Sequence, residues 1–215
     1  RARTRAKAPR PKAHPLRWRH CTARRNFVRV RPLFADPKTD FVFKKIFGSE
    51  EHKPLLIALL NALLELDEQH SIVQVELLSP EQRPKVSELK HSIVDVKCID
   101  ARDTRYVVEM QVLHVDGFEK RVVYNVAKAY SGQLDAGQKY PDLNDVIGVT
   151  ICDFELWPAH EVPGVPMLSR WRMQEQHSGV RGLSRVQYAF LELPKYAAGD
   201  APTTLVDRWA YFFRE

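Results

Sequence analysis

Between Ser92 and His114 the chain reads SIVDVKCIDARDTRYVVEMQVLH, two alternating apolar runs. One presents Asp95; the other presents Glu109, with Gln111 two residues on. Side chains of a strand alternate between its faces, so Asp95 and Lys97 are expected on one face and Val94, Val96 and Cys98 on the other. On the second run Glu109 and Gln111 project together, leaving Val108, Met110 and Val112 as the expected buried side. The Asp-Ala-Arg-Asp segment from Asp100 to Asp103 supplies turn chemistry, and a hairpin is the economical arrangement. Two carboxylates brought close in it raise each other's proton affinity and call for a cation or a shared proton. Hard oxygen ligands of this kind suit Mg²⁺ or Mn²⁺, which polarise a phosphoryl oxygen and lower the pKa of an attacking water. Phosphodiester hydrolysis is the chemistry such a pair would serve. Taken alone, the same spacing also fits solvated acids on the outer face of a sheet.

The flanking sequence supplies elements that could position this pair. Asp40 to Phe47 reads as a short helix ended by Gly48, its aromatics expected in the core. Pro54 to Leu66 reads as a packing helix, with proline in its first turn and a face of Leu55, Leu56, Leu59, Leu60, Leu63 and Leu64. Ile72 to Leu78 follows as a strand, then a polar loop from Ser79 to Lys90 interrupted by Pro80 and Pro84 and expected to skirt the substrate cleft. Past the Glu109 strand, His114 to Gly117 forms a turn. Phe118 to Gly137 then reads as a long helix with glycine as its terminator. Val146 to Leu156 is apolar enough in its first half for a central strand, Gln187 to Leu193 returns as another, and Leu205 to Phe213 begins an aromatic helix.

Five of these segments agree in order and spacing with one known group. DPKTDFVFKKIFG, LLIALLNALLEL, SIVDVKCID, YVVEMQ and RVVYNVAKAYSGQLDAGQKY, followed by VIGVTICDFELW, resemble the PD-(D/E)xK nuclease family transposases, also called recombination-promoting nucleases. The resemblance implies an α/β fold with a restriction-endonuclease-like core, a central mixed sheet of about four strands flanked by helices. It implies a metal-dependent DNA endonuclease linked to mobile elements or recombination. Asp95, Glu109 and Gln111 would be catalytic, with Asp95, Glu109 and the carbonyl of Met110 holding Mg²⁺ or Mn²⁺. Gln111 stands where the superfamily most often has lysine. A glutamine can orient water but cannot give positive charge to a developing phosphorane. Lys97 is one candidate for that charge. Asp40 would be an accessory acid, and Lys44, Lys45, Arg121, Tyr124 and Lys128 would contact DNA; ordinary capping and amphipathic surface explain the same residues. The second reading of the whole chain is a DNA-binding or interaction protein that keeps the fold without cleavage.

Composition bounds these readings. At 215 residues and 44% apolar content the chain can bury a substantial core. No run approaches the roughly 18 apolar residues of a membrane span. Cys21, Cys98 and Cys152 lie far apart, without metal or disulfide spacing, and Cys98 and Cys152, in expected strands, suit small buried hydrophobes in a reducing cytoplasm. The net charge of +6 is concentrated at one end: residues 1–35 hold 12 of the 33 Lys and Arg and no acid. This segment, with four prolines before Phe34, is expected to be either a basic arm without packed structure or upstream translated sequence, the first methionine being Met110. An arm of this kind would bind nucleic acid through phosphates in a salt-sensitive way. Residues 36–215 are expected to form the nuclease-like domain, cut short at its C-terminus. No phosphate-binding glycine loop, GxSxG elbow, heptad array or internal repeat is present, against an NTPase, an α/β hydrolase and a coiled-coil scaffold.

Overall fold

The computed structural model describes residues 35–82 and 92–214. The basic segment 1–34 and the middle of the polar loop, 83–91, lie outside the described residues. In chain order the principal elements are α1 (Asp40–Phe47), α2 (Lys53–Leu64), β1 (Val75–Leu78), β2 (Glu81–Gln82), β3 (Ser92–Ile93), β4 (Val96–Asp100), β5 (Arg105–Gln111), α3 (Phe118–Ser131), β6 (Val146–Cys152), β7 (Leu168–Arg172), β8 (Val186–Glu192) and α4 (Leu205–Arg214).

The sheet has six strands in the order β1-β4-β5-β6-β8-β7, not the four expected. Its first three strands are antiparallel neighbours, while β5, β6 and β8 run parallel. The parallel register sets Glu109 beside Thr150, near the carboxyl ends of these strands, where open α/β sheets commonly place their ligands. The strand missed from sequence, β7, pairs antiparallel with β8. Its sequence LSRWR is charged and short, which suits an edge position but gives little apolar alternation to read. The polar loop begins and returns through a two-stranded ribbon, with Glu81 opposite Ile93 and Gln82 opposite Ser92.

Both faces of the sheet are covered. One packs against α1, α2 and α4 in a cluster that includes Phe43, Phe47, Leu56, Leu60, Val96, Val108, Ile151 and Phe213. Within α1, Phe41 departs from expectation: it is 78% exposed, because it lies on the side away from Phe43 and Phe47. The other face packs against α3, where Val107 meets Val126 and Ala129, and Phe118 and Val122 meet Cys152 and Phe190. Because β5 is buried on both sides, Val107 is as much core as Val108, a pattern that alternation does not distinguish. Helix α3 stops at Ser131, six residues before the expected end; the N–H of Gly132 closes it on the Lys128 carbonyl at 2.9 Å.

Two side-chain assignments in the acid strands change as well. Val94 joins the α3-side cluster while Val96 and Cys98 join the opposite one, since the chain bends at Asp95 before β4 begins. Val112 is 42% exposed, because β5 ends at Gln111. The predicted turn does close the hairpin. The buried Asp100 carboxylate accepts from the Arg102 and Thr104 N–H groups and from the Tyr106 hydroxyl at 2.9 Å.

The approach of α3 to the sheet depends on Gly148 of β6. A Cβ there would sit 2.6 Å from Cγ2 of Val126. Val126 is buried and β-branched, so it has little freedom to give way. Gly148→Ala should therefore destabilise the fold by about 1–3 kcal/mol, the usual cost of overpacking. Urea unfolding with an unchanged midpoint would show that α3 is not held this tightly.

Candidate functional site

The hairpin brings the two acids together where the β4–β5 ladder runs out. Val96 pairs with Val108, the last pair on that side, and one step further the Asp95 carboxylate takes up the Met110 N–H through Oδ2 at 2.8 Å. Its Oδ1 faces the Lys44 ammonium at 3.4 Å. Glu109, 6% exposed, receives the side-chain N–H of Asn125 on Oε1 at 2.6 Å, and its Oε2 lies 3.8 Å from the Arg121 guanidinium. Each acid thus has one oxygen committed to the scaffold and the other turned toward a cation. A cleft of about 370 Å³ runs over the pair, lined also by Lys38, Asp40, Met110, Gln111 and Leu113.

Gln111 is fixed by two bonds of opposite sense. Its amide nitrogen donates to the Leu113 carbonyl at 2.7 Å, and its Oε1 accepts from Arg121 Nη2 at 2.5 Å. Arg121 in turn lies over the Phe118 ring, 5.2 Å from its centroid. A lysine at position 111 would place two cations together. Glutamine at 111 and arginine at 121 are therefore complementary, and α3 places a positive charge against the Gln111 amide.

The other predicted residues divide by position. Asp40 lines the cleft and pairs with Lys44 one helical turn on. Lys45 is exposed on α1 and does not line the cleft. Tyr124 and Lys128 lie further along α3, the Lys128 ammonium 5.7 Å from the Tyr124 ring centroid. Lys97 stands opposite Val107, and the charge acting on it is Arg105 rather than either acid; the lysine against Asp95 is Lys44. Among the described residues no group of three or more His, Cys, Asp and Glu converges.

Two residues at the cleft were not singled out from sequence. Lys38 lines it and pairs with Asp153 at 3.0 Å, whose own N–H holds the Gln111 carbonyl. Asn125 is 2% exposed and lies on the apolar stripe of α3 with Phe118, Val122, Val126 and Ala129. A lone amide on such a stripe is the signal that could have found it. Its Nδ2 is spent on Glu109, whereas its Oδ1 is buried without a partner.

Burial dominates the acids' electrostatics. Desolvation raises the pKa of Asp95 against the opposing pull of the Met110 N–H and Lys44. It also raises that of Glu109, against Asn125 and Arg121, with Asp95 adding to the rise. A carboxyl whose pKa is higher folded than unfolded opposes folding once it ionises. That penalty is absent below the unfolded value and complete above the folded one, reaching about 1.4 kcal/mol for each pH unit that separates the two values. Glu109→Gln keeps an oxygen for Asn125 and removes the charge. In EDTA it should raise the melting temperature at pH 7, with the gain fading as pH falls from the raised folded value to the ordinary carboxylate value. A loss of stability at pH 7, or a change independent of pH, would refute this balance.

The family model for PD-(D/E)XK nuclease family transposases matches residues 37–215, nearly all of the chain outside the basic segment. The chain belongs to this family. No curated protein and no solved structure gives a significant match. Membership in the PD-(D/E)XK family implies a nuclease- or transposase-type function with DNA as substrate, and such enzymes generally use divalent metal ions. The mixed sheet flanked by helices is consistent with that fold. Among the described residues, no helix is long and apolar enough to cross a membrane.

Proposed function

We propose that the protein is a metal-dependent DNA endonuclease, acting in the context of mobile elements or recombination, with its site built on Asp95, Glu109 and Gln111. The observation that carries this reading is the pairing of a buried carboxylate, Glu109, with a partly buried one, Asp95, each with one oxygen fixed and the other turned to positive charge, over an open cleft. The donor set fits a divalent cation. Both acids offer hard oxygens, and burial penalises their paired negative charge until a cation offsets it. Asp95 and Glu109 would hold the ion, Mg²⁺ or Mn²⁺, with the Met110 carbonyl as a further oxygen at the same strand position. When bound, the ion would polarise the phosphoryl group and lower the pKa of an attacking water.

The chain's own residues supply the remainder. The Met110 and Asn125 N–H groups fix the orientation of the two carboxylates, so little reorganisation accompanies binding. Gln111 presents an amide at the cleft wall, held by Leu113 and Arg121, that can orient water by hydrogen bonding. Arg121, delocalised and permanently charged, faces the same point and would stabilise negative charge growing on the phosphoryl oxygens. Lys44 beside Asp95 is placed to meet an adjacent phosphate once a metal takes over its partner. The test is nicking of supercoiled plasmid by the full chain with Mg²⁺ or Mn²⁺, with EDTA as control. Metal-dependent nicking is expected; its absence from demonstrably folded protein would favour the noncatalytic DNA-binding reading.

A further inference from the structure

The acid cleft continues into a second cavity of about 510 Å³. Ile93, Arg121 and Asn125 line both, and Ser92, Gly117, Lys120 and Tyr124 complete the second. Two residues of its lining, Asn125 and Ser92, each carry a buried side-chain oxygen without a hydrogen-bond partner, Oδ1 and Oγ. Each such oxygen costs about 1–3 kcal/mol when left unsatisfied, so both side chains have hydrogen-bonding capacity to offer a ligand. Around them the chemistry changes: Ile93 is an exposed apolar wall, Tyr124 a half-exposed aromatic face, and Lys120 and Arg121 are cations.

A buried carbonyl oxygen would repel a phosphate but would accept an N–H from a planar ring. The cations suit the phosphate attached to such a ring, and the tyrosine face suits stacking. We propose that this cavity is a subsite for one unpaired nucleotide beside the scissile phosphate. Its base lies against Tyr124 and Ile93, with an edge N–H donating to Asn125 Oδ1 and an edge acceptor receiving the Ser92 hydroxyl. Its phosphate lies between Lys120 and Arg121. The assignment rests on the nuclease reading for the position of the scissile phosphate, and it makes bulged or frayed DNA the preferred substrate over perfect duplex.

The test separates binding from cleavage. Fluorescence anisotropy in EDTA would compare the full chain on a labelled hairpin duplex and on the same hairpin with a single-nucleotide bulge. Base stacking on an aromatic side chain supports a preference of about tenfold for the bulge. Tyr124→Ala and Ser92→Ala should each reduce that ratio toward one. Equal affinity of the native chain for both DNAs, failure to bind either, or a preference unchanged in both variants would overturn the subsite. Plasmid nicking without a bulge preference would sink the subsite alone. A preference erased by the variants, in a protein that never nicks with metal, would keep the subsite and sink the nuclease reading.

Discussion

Asp95→Asn should abolish metal-dependent nicking, lowering the rate by on the order of 10³-fold or more. Loss of one of two carboxylate ligands removes several kcal/mol of charge stabilisation, and each 1.4 kcal/mol is about tenfold in rate. Asparagine is the informative substitution because its amide oxygen can still take the Met110 N–H that ends the β4–β5 ladder. Asp95→Ala would leave that N–H without its acceptor and would confuse lost chemistry with a loosened hairpin. The companion Glu109→Ala should be equally inactive, though it also orphans the Asn125 amide. Metal-dependent thermal stabilisation gives the independent readout. At metal a hundredfold above the dissociation constant the native chain should gain about 2.7 kcal/mol, and the Asp95→Asn variant much less. Full nicking by the variant would remove Asp95 from the site.

Arg121→Ala should lower kcat by about 10²–10³-fold, the usual cost of losing one preorganised donor to a developing oxyanion. Metal binding should survive, because Arg121 is 3.8 Å from Glu109 Oε2 and is not itself a ligand. Arg121→Lys should recover part of the rate, since it keeps the charge without the planar fork that reaches Gln111. The sharper test restores the common motif: Gln111→Lys should be harmful with Arg121 present and should rescue activity in the Arg121→Ala background. A general phosphate contact would instead raise KM with kcat unchanged, and the double variant would show no rescue. Either result would remove Arg121 from the role of the missing lysine.

The hairpin was legible because its signals are local. The period-two runs on either side of Asp100–Asp103 and the turn chemistry of Asp100 act over a few residues, and the structure keeps the pairing of Val96–Ile99 with Arg105–Val108 and the turn. The leucine-rich helix and the apolar strand Val146–Cys152 were legible for the same reason. β7 was not, since an edge strand acquires its form from the ladder with β8 rather than from its own LSRWR pattern. The side taken by Val94 was not legible either. Alternation assumes an unbroken strand, and the bend at Asp95 breaks the count.

By itself the sequence determined which residues could do the chemistry: two acids and a glutamine at strand spacing, in a chain whose segments follow the order of a nuclease family. The tertiary structure decided what surrounds them. Asn125 and Arg121 lie 16 and 12 residues beyond Glu109, on a helix whose approach is set by Gly148 of another strand. Lys44 reaches Asp95 from a helix some fifty residues earlier. No periodicity links such positions, because they meet only after α1 and α3 have packed on opposite faces of the sheet. That packing converts two exposable acids into a buried and a partly buried carboxylate whose negative charge desolvation penalises.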